Sequence, residues 1–315
     1  MGRNQFNVQG ESVIIAGGSK GLGRELALML TAQGANVTIV ARSAGPLEET
    51  RQELLKQVKN EEQTISSFAL DLTDATKVED FIASLPAPPT VLFCVAGGAA
   101  ADIGFFADIT TSNIQSGMEK NYFAAAFIAH GVFKRWTKEP VSSPTRHLIF
   151  TSSTAAFLGL PGYSAYAPTK AATRALADTL RQEALLYSSQ QEIKIHCSFP
   201  GTFYSEGFYE EQKRKPQLLK ELEGTATNEG GLTTARIAEL TIKGLQNGQF
   251  FIKMDTDTEF VMNNMRGPSP RDSPFRDWIM GFVGTLVWPF YRISFDRATV
   301  RYGKEMLAKA EGRSE

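Results

Sequence analysis

Cysteine and histidine are scarce in this chain, and charge of neither sign dominates. Among 315 residues there are 2 cysteines and 3 histidines, and 33 lysines and arginines stand against 34 aspartates and glutamates, a net charge of −1. A balanced charge offers no electrostatic attraction to nucleic acid, so we expect no nucleic-acid partner. The histidines are scattered, and without a Cys/His cluster we expect no metal site.

Targeting signals and disulfides are also not expected. Residues 1–12 are polar and lack the apolar core of a signal peptide, and Phe6 stands where a myristoylation pattern needs Ser or Thr. Cys94 and Cys197 lie in separate apolar runs that are typical of buried strands. Two buried cysteines do not form a disulfide framework, so we expect free thiols and a reducing compartment.

What the chain does have is a regular alternation of short apolar runs and helical patterns. The runs predicted as strands are residues 13–16, 37–41, 65–70, 91–95, 147–151, 193–199 and 250–253. Such alternation requires parallel strands with helices on both faces, and nearly continuous apolar strands fit a sheet that is buried on both sides. The predicted fold is an α/β, Rossmann-type doubly wound parallel sheet with a nucleotide crevice at its switch point.

The predicted organisation is a catalytic domain followed by an extension. We assign residues 1–254 to a cofactor-binding domain and residues 255–315 to the C-terminal extension. Within the domain, the stretch from about 202 to 232 is rich in Glu, Lys, Gly and Tyr and shows no clean strand. It is predicted to form a lid of loop and helix beside the site.

A glycine-rich turn follows the first predicted strand directly. Its sequence, Gly17-Gly18-Ser19-Lys20-Gly21-Leu22-Gly23, has the spacing Gly-x₃-Gly-x-Gly and opens a helical pattern. Glycines there let backbone N–H groups approach a pyrophosphate at the positive end of the helix. A flexible turn is the alternative for an isolated glycine-rich string, but the flanking strand and helix favour a dinucleotide site.

The end of the second predicted strand favours NADPH as the cofactor. An NAD enzyme usually places Asp or Glu there to hold the ribose hydroxyls, whereas this chain has Arg42 and no acid from residue 36 to residue 47. Arg42 and Lys20 can together bind a 2′-phosphate, although either could be a solvated surface charge. Asp71, in Asp71-Leu72-Thr73, is a candidate acceptor for the adenine amine.

Three later residues predict the chemistry of carbonyl reduction. Ser153 ends the fifth predicted strand, and Tyr166 and Lys170 are four residues apart on one face of the next helix. Reduction needs a hydride donor, an acid for the developing alkoxide and donors that stabilise it. A nearby ammonium lowers a tyrosine pKa from its ordinary value of about 10. We therefore predict that Tyr166 is the acid, that Lys170 tunes it and binds the nicotinamide ribose, and that Ser153 polarises the carbonyl.

The combined motifs resemble the short-chain dehydrogenase/reductase family over roughly residues 10–253. The resemblance is carried by Gly17-x₃-Gly21-x-Gly23, Asn121, Ser153, Tyr166-x₃-Lys170 and Pro200-Gly201. It implies an NADPH-dependent oxidoreductase whose cofactor also contacts Ala96, Gly97, Pro200, Gly201 and Thr202. Two departures, Ala16 for the usual Thr and Cys94-Val95-Ala96-Gly97 for the usual Asn-Asn-Ala-Gly, alter stabilising hydrogen bonds rather than the chemistry.

Three polar residues have secondary roles in this reading. Asn121 would hold a water molecule that links Lys170 to solvent. Ser152 is one residue off the family spacing and is expected to support the end of its strand. His147 opens the fifth strand and is expected to satisfy a backbone group.

A narrower resemblance is to 3-ketodihydrosphingosine reductases. The stretches that carry it are Gly17-Gly18-Ser19-Lys20-Gly21, Tyr163-Ser164-Ala165-Tyr166, Gly207-Phe208-Tyr209-Glu210-Glu211 with Lys215-Pro216, and Ser294-Phe295-Asp296. It implies NADPH-dependent reduction of a long-chain keto-lipid, 3-oxosphinganine, to sphinganine at the cytosolic face of the endoplasmic reticulum membrane. The alternatives are reduction of another hydrophobic ketone (steroid, retinoid or acyl) and a non-catalytic NADPH-binding regulator, which would need only the phosphate loop.

The lid residues leave two choices open. Glu206, Glu210 and Glu211 are expected to be solvated, with contact to the substrate's ammonium group as the alternative. The lid aromatics form either a core of the lid or a wall for an acyl chain. These aromatics are Phe203, Tyr204, Phe208 and Tyr209.

The apolar residues of the extension are concentrated at 278–291, a stretch without a charged side chain. A straight helix of this length reaches about 21 Å, short of the roughly 30 Å hydrocarbon core, and Pro289 weakens a helix near its end. Basic flanking residues favour an anionic surface, and Trp and Tyr favour the interface. We expect the segment to enter one leaflet of a membrane; packing on the protein or closing a homo-oligomer interface is the alternative.

Overall fold

The computed structural model describes residues 4–139, 145–225 and 231–310. Its strands are β1 (Ser12–Ala16), β2 (Asn36–Ala41), β3 (Ile65–Ala69), β4 (Val91–Cys94), β5 (Arg146–Thr151), β6 (Ile193–Phe199), β7 (Phe203–Tyr204), β8 (Leu232–Thr233) and β9 (Phe251–Lys253). The α-helices are α1 (Gly21–Ala32), α2 (Ala44–Leu55), α3 (Ala75–Ser84), α4 (Thr111–Met118), α5 (Ala124–Trp136), α6 (Ala167–Ala184), α7 (Glu206–Arg214), α8 (Gln217–Leu222), α9 (Thr234–Gln246), α10 (Thr256–Met265) and α11 (Pro274–Ala310).

Seven strands form one parallel sheet in the order β3-β2-β1-β4-β5-β6-β9. One apolar cluster packs α1, α2 and α9 against one face, and a second packs α3, α5, α6 and α10 against the other. The predicted Rossmann-type sheet is therefore confirmed. The strand order changes direction between β1 and β4, so a crevice opens beyond the carboxyl ends of these strands. Cys94 and Cys197 are free and buried in the sheet.

Two features differ from the sequence-based expectations. The lid contains strands β7 and β8, which pair with each other, but each has only two residues and leaves no periodicity in the sequence. The helix that contains the apolar stretch 278–291 is longer than that stretch, because α11 runs from Pro274 to Ala310 with Pro289 inside it. A proline removes one backbone hydrogen bond from a helix, and the turns on both sides keep theirs.

The helix that follows β9 packs on the sheet. Val261 and Met262 of α10 are buried in the core, and Thr258 Oγ1 lies 2.9 Å from Thr154 Oγ1. The buried guanidinium of Arg266 then bonds to Asp272 and Asp277, each at 2.8 Å. Ion pairs that are buried in this way fix the start of α11 against the domain. The boundary between domains at residue 254 stays a prediction.

His147 and His196 form a buried pair on β5 and β6. His147 Nδ1 lies 3.0 Å from His196 Nε2, and His196 Nδ1 lies 2.6 Å from the carbonyl oxygen of Gln249. The expectation that His147 satisfies a backbone group is wrong. In the parallel register His147 is opposite Lys194, two residues before His196, so both imidazoles lie on the same face of the sheet and meet.

This pair should make the fold sensitive to acid. Burial lowers the pKa of His147 to about 2 and that of His196 to about 4, below the ordinary value of about 6.5. Below about pH 6.5 the unfolded chain therefore binds more protons than the folded protein, and the free energy of unfolding falls by about 1.4 kcal/mol per pH unit for each histidine. Urea unfolding of the wild type and His147→Gln between about pH 4.5 and 7.5 checks this. The variant should show the shallower decline, and equal slopes would contradict the assignment.

Candidate active site

The glycine-rich turn joins β1 to α1 at the switch point. The N–H groups of Gly17 and Gly18 donate to the carbonyl oxygen of Val40 at 2.7 and 3.3 Å. A Cβ atom on Gly23 would lie 2.0 Å from the Gly17 carbonyl oxygen, and one on Gly17 would lie 2.5 Å from the Ala96 nitrogen. The turn therefore requires glycine at both positions because the backbone itself fills the space of a side chain.

This turn fits the pyrophosphate of a dinucleotide. Helix α1 begins at Gly21, and the side chain of the N-cap residue Lys20 does not cap it. A Cβ atom on Gly21 would meet only Ser205 Cβ, at 3.9 Å, so the space above the turn is open. Uncapped N–H groups facing open space at a positive helix end are suited to phosphate oxygens. Ser19 and Leu22 lie in the same turn, where the Ser19 carbonyl oxygen accepts from Thr50 Oγ1 at 3.0 Å.

The residues predicted for the adenosine end follow β2 and β3. Arg42 is exposed after β2, and Leu72 is buried after β3. Asp71 accepts hydrogen bonds from Thr73 N at 3.0 Å and Thr73 Oγ1 at 2.8 Å. The backbone bond from Thr73 is the largest cause that lowers the pKa of Asp71, and the charge of Arg42 adds to it. The structure thus brings Arg42 and Asp71 to one edge of the crevice.

Lys20 has a partner in the lid. Its Nζ atom lies 2.7 Å from Glu206 Oε2, with both side chains largely exposed. Its predicted contact with a 2′-phosphate stays a prediction, as does that of Arg42. An exposed pair of this kind contributes little to stability, so Glu206 can exchange Lys20 for another partner at small cost.

Asn121 ties the loop after β4 to the helices behind it. It lies in a π-helical turn, Glu119–Phe123, between α4 and α5. Its Nδ2 donates to the carbonyl oxygens of Gly98 and Gly117 at 3.0 and 3.1 Å, and its Oδ1 accepts from Gly98 N at 2.8 Å. A Cβ atom on Gly97 would lie 2.5 Å from that Oδ1. This bracing role was not foreseen, and the role of Asn121 in holding a water stays a prediction.

The three residues predicted for catalysis come together at the carboxyl end of β5. Tyr166 is the N-cap residue of α6, and Lys170 lies one turn further on. Lys170 Nζ donates to the Thr151 carbonyl oxygen at 3.1 Å and lies 5.6 Å from the centre of the Tyr166 ring. Ser153 follows β5 and hydrogen-bonds to the Tyr166 hydroxyl. Ser152 is buried and donates to the Lys170 carbonyl oxygen at 2.8 Å, so it supports the backbone of α6.

Burial dominates the electrostatics of these groups. It raises the pKa of Tyr166 above its ordinary value; Glu211 raises it further, the hydrogen bond with Ser153 lowers it, and Glu223 raises it. Burial also lowers the pKa of Lys170 to about 8. The ammonium form of Lys170 still predominates at neutral pH, where it can stabilise a phenolate.

The segment after β6 borders the same edge of the sheet. The Pro200 carbonyl oxygen accepts from Thr154 N at 3.2 Å, and the Thr202 carbonyl oxygen accepts from Leu232 N at 3.3 Å. Gly201 lies between them. The segment therefore links the turn after Ser153 to the first residues of the lid.

The lid places a buried ionic network against the site, which the sequence did not predict. Lys215 Nζ pairs with Glu211 at 2.6 Å and with Glu223, and Tyr163 donates its hydroxyl to Glu211 at 2.8 Å. The expectation that Glu211 is solvated is wrong, because this face of α7 packs inward. The spacing of Glu211 and Lys215 predicts a pair, but it does not say which side of the helix is covered. Glu206 and Glu210 are exposed as expected.

Apolar side chains pack within the lid and next to Tyr166. Tyr204, Phe208 and Tyr209 contact one another within the lid, and Phe208 is buried. A separate small apolar cluster adjoins Tyr166. Its buried members are Ala99, Ile103, Tyr163 and Leu219, with Leu160 packed against them. Tyr166, the residue predicted to be the acid, therefore packs against an apolar cluster.

Known proteins resemble this chain in sequence. Residues 11–216 match the sequence profile of the short chain dehydrogenase family. A PIGF/3-ketodihydrosphingosine reductase fusion protein of Schizosaccharomyces pombe is 35% identical over 96% of this chain, which spans 60% of that protein. A 3-ketodihydrosphingosine reductase of Aspergillus fumigatus is 36% identical over 90% of this chain and 82% of its own length.

Solved structures share the fold. A short-chain dehydrogenase from Sphingobium yanoikuyae in complex with NADPH superposes with a TM-score of 0.63 at 20% identity, over 77% of this chain and 87% of its own. At that identity the likeness concerns the fold alone. The profile match, by contrast, includes the glycine-rich turn, Asn121, Ser153, Tyr166 and Lys170. The chain therefore belongs to the short-chain dehydrogenase family of oxidoreductases.

Proposed function

We propose that the protein uses NADPH to reduce 3-ketodihydrosphingosine (3-oxosphinganine) to sphinganine in sphingolipid synthesis. The observation that carries the proposal is the half-buried Tyr166, in contact with Ser153 and Lys170 at the edge of the sheet that carries the glycine-rich turn. The substrate class rests on the names of relatives that align along 90–96% of the chain. The apolar cluster beside Tyr166 suits a substrate with a long acyl chain.

Arg42 supports NADPH over NADH. It stands at the end of β2, where an acidic side chain would otherwise bind the ribose hydroxyls. Within the described residues, its guanidinium acts on Asp71 through its charge, but it forms no hydrogen bond or ion pair with a protein side chain. An exposed guanidinium at this position suits a 2′-phosphate, because its N–H groups match phosphate oxygens.

The residues of the chain account for the proton side of the reaction. When bound, NADPH supplies the hydride that the carbonyl carbon accepts. Ser153 donates a hydrogen bond to the carbonyl oxygen, and Tyr166 passes its hydroxyl proton to that oxygen as negative charge develops. Lys170, oriented by the Thr151 carbonyl oxygen, stabilises the phenolate that remains. Lys170 is buried and Ser153 and Tyr166 are half-buried, which limits the access of water to the proton.

NADPH oxidation with a panel of ketones tests the proposed function. We expect turnover with 3-oxosphinganine and at least about tenfold lower kcat/KM with a steroid ketone, because only the former combines a linear chain with a polar head. In the same assay, Tyr187→Phe, which changes a tyrosine outside the site, is the matched control for Tyr166→Phe. Preference for the steroid would replace the proposed substrate, and no oxidation with any ketone would favour a regulator that only binds NADPH.

We also propose that α11 binds an anionic membrane surface, which would place the protein at the cytosolic face of the endoplasmic reticulum. Within residues 4–139, 145–225 and 231–310, no helix combines the length and apolarity needed to cross a bilayer. One side of α11 packs on the domain, where Gly281 approaches Asn263 of α10 and Trp288 meets the core. The other side exposes large apolar residues. These are Phe275, Trp278, Phe282, Leu286 and Phe290.

The basic residues around this apolar face also support an anionic membrane surface as the partner. Arg292, Arg297, Arg301 and Lys304 follow the apolar stretch on the same helix, against Asp296 and Glu305. An exposed apolar face next to basic residues is the pattern of a helix that lies in the interfacial plane of an anionic membrane.

Replacing the exposed apolar side chains should release the protein from membranes. The variant Trp278→Ser/Phe282→Ser/Leu286→Ser/Phe290→Ser removes the exposed face and keeps Trp288 and the glycines that pack on the domain. We expect at least about tenfold weaker co-sedimentation with phosphatidylserine-containing vesicles, since each large apolar side chain contributes roughly 1.5–3 kcal/mol when buried. NADPH affinity should not change. Leu185→Ser/Leu186→Ser, an exposed apolar pair elsewhere, is the control.

Unchanged vesicle binding by the quadruple variant would contradict the membrane proposal. Conversion of a wild-type dimer into monomers, without any vesicle binding by the wild type, would instead assign the apolar face to a homo-oligomer interface.

A further inference from the structure

The lid contributes a buried charged network that the proton chemistry of the proposed reaction does not use. Its centre is Lys215, whose side chain is 1% exposed and lies between Glu211 and Glu223. The carboxylates are also mostly covered, at 16% and 12% exposure. Lys215 Nζ further lies 5.4 Å from the centre of the Tyr163 ring. The network therefore joins α7, α8 and the segment before α6 into one buried unit.

Tyr163 connects this network to the catalytic tyrosine. Its hydroxyl donates to Glu211 Oε1 at 2.8 Å, and its ring centre lies 5.3 Å from that of Tyr166. Glu211 and Glu223 both act on Tyr166 through their charge and raise its pKa, in addition to the effect of burial. Carboxylate charge from the lid thus reaches the position at which the carbonyl oxygen must be protonated.

For a neutral ketone this arrangement would be unfavourable. Negative charge near Tyr166 opposes both the phenolate and the alkoxide of the reaction, since like charges destabilise each other where water is excluded. Glu211 and Glu223 share the ammonium of Lys215, and in the part of the chain that the structure describes no second cation pairs with them. A substrate that carries an ammonium group next to its carbonyl would supply that cation and would offset the unfavourable field.

We propose that Glu211 and Glu223, positioned by Lys215 and Tyr163, make the active site selective for a ketone with an ammonium group on the neighbouring carbon. This inference rests on the proposed function, because 3-oxosphinganine has its amine beside the carbonyl. It adds to that function the residues that distinguish the amino ketone from a neutral ketone of the same length. The carboxylates act through the field at Tyr166, so they are specificity and positioning residues rather than proton donors.

Substitution of one carboxylate by its amide tests the proposal. Glu211→Gln keeps the shape of the side chain and removes one charge, and Glu223→Gln is a second variant in case the first does not fold. Glu210→Gln is the matched control, because Glu210 lies on the same helix and pairs with Lys213 on the surface at 2.5 Å. The substrates are 3-oxosphinganine and a 1-hydroxy-3-ketone of equal chain length without the amine, and NADPH affinity reports folding.

We expect the wild type to prefer the amino ketone. In Glu211→Gln, kcat/KM for the amino ketone should fall roughly 10- to 100-fold, the range of a charge-assisted contact, while kcat/KM for the neutral ketone stays the same or rises. The alkaline limb of the kcat profile with the neutral ketone should move to lower pH, since removing the charge favours the phenolate. Glu210→Gln should match the wild type in every respect.

Other outcomes distinguish failure of this inference from failure of the proposed function. Equal losses on both substrates, or no loss on either, would overturn the selectivity of the lid and leave the proposed function intact. A wild type that oxidises NADPH with the neutral ketone but never with 3-oxosphinganine would overturn the proposed function and this inference together.

Discussion

Replacement of Tyr166 by phenylalanine should lower kcat by about 10²- to 10⁴-fold and leave NADPH binding unchanged. Only the hydroxyl is removed, so the ring keeps its contacts with Tyr163 and Lys170. General acid catalysis by a positioned group is worth about that factor. Steady-state rates with 3-oxosphinganine, together with fluorescence titration of NADPH, measure both quantities.

The neighbouring substitution Ser153→Ala sharpens this test. Ser153 hydrogen-bonds to Tyr166 and lowers its pKa, so its loss should reduce kcat through the same proton. A double variant should then lose less than the product of the two single losses, because the two groups act as a unit. A Tyr166→Phe protein that kept more than about a tenth of the wild-type rate would remove Tyr166 from the role of acid.

Replacement of Arg42 by alanine should weaken NADPH binding by about 1.5–3 kcal/mol, or roughly 10- to 150-fold, and leave NADH binding nearly unchanged. The guanidinium contacts only the 2′-phosphate in this account, and NADH lacks that group. Titration of both cofactors with the wild type and the variant checks the difference. Arg51→Ala, which removes a half-buried arginine paired with Glu48 at 2.9 Å, is the control.

The variant Lys20→Ala measures how much Lys20, compared with Arg42, contributes to binding of the 2′-phosphate. Lys20 is paired with Glu206, so its removal should weaken NADPH binding less than the loss of Arg42. If Arg42→Ala weakened the binding of NADPH and of NADH equally, the assigned role would be contradicted. Arg42 would then stabilise the folded protein and would not bind the phosphate.

Local spacing explains why much of the site could be predicted from the sequence. The glycines of the turn lie within a few residues of each other, so the unit of β1, turn and α1 fixes their geometry. Tyr166 and Lys170 are likewise close in sequence, so the first turn of α6 fixes theirs. The strand order then follows from the alternation of the elements, which brings Ser153 and the turn to the same edge of the sheet.

Contacts that depend on which helix face is covered could not be predicted. Glu211 and Glu210 are adjacent in the sequence, yet one is buried against Tyr163 and the other is exposed, because α7 packs on the domain along one side only. The His147–His196 pair needed the register between β5 and β6. The bracing role of Asn121 depends on a π-helical turn that has no recognisable sequence pattern.

The central claim is that hydride reaches the carbonyl carbon of an amino ketone at the Tyr166 site. Incubation of the purified protein with 3-oxosphinganine and NADPH doubly deuterated at C4 of the nicotinamide tests it directly, with mass spectrometry of the lipid product. The account predicts sphinganine with a single deuterium on C3, and almost none from Tyr166→Phe. Consumption of NADPH without deuterium on C3, or equal product from the variant, would contradict it.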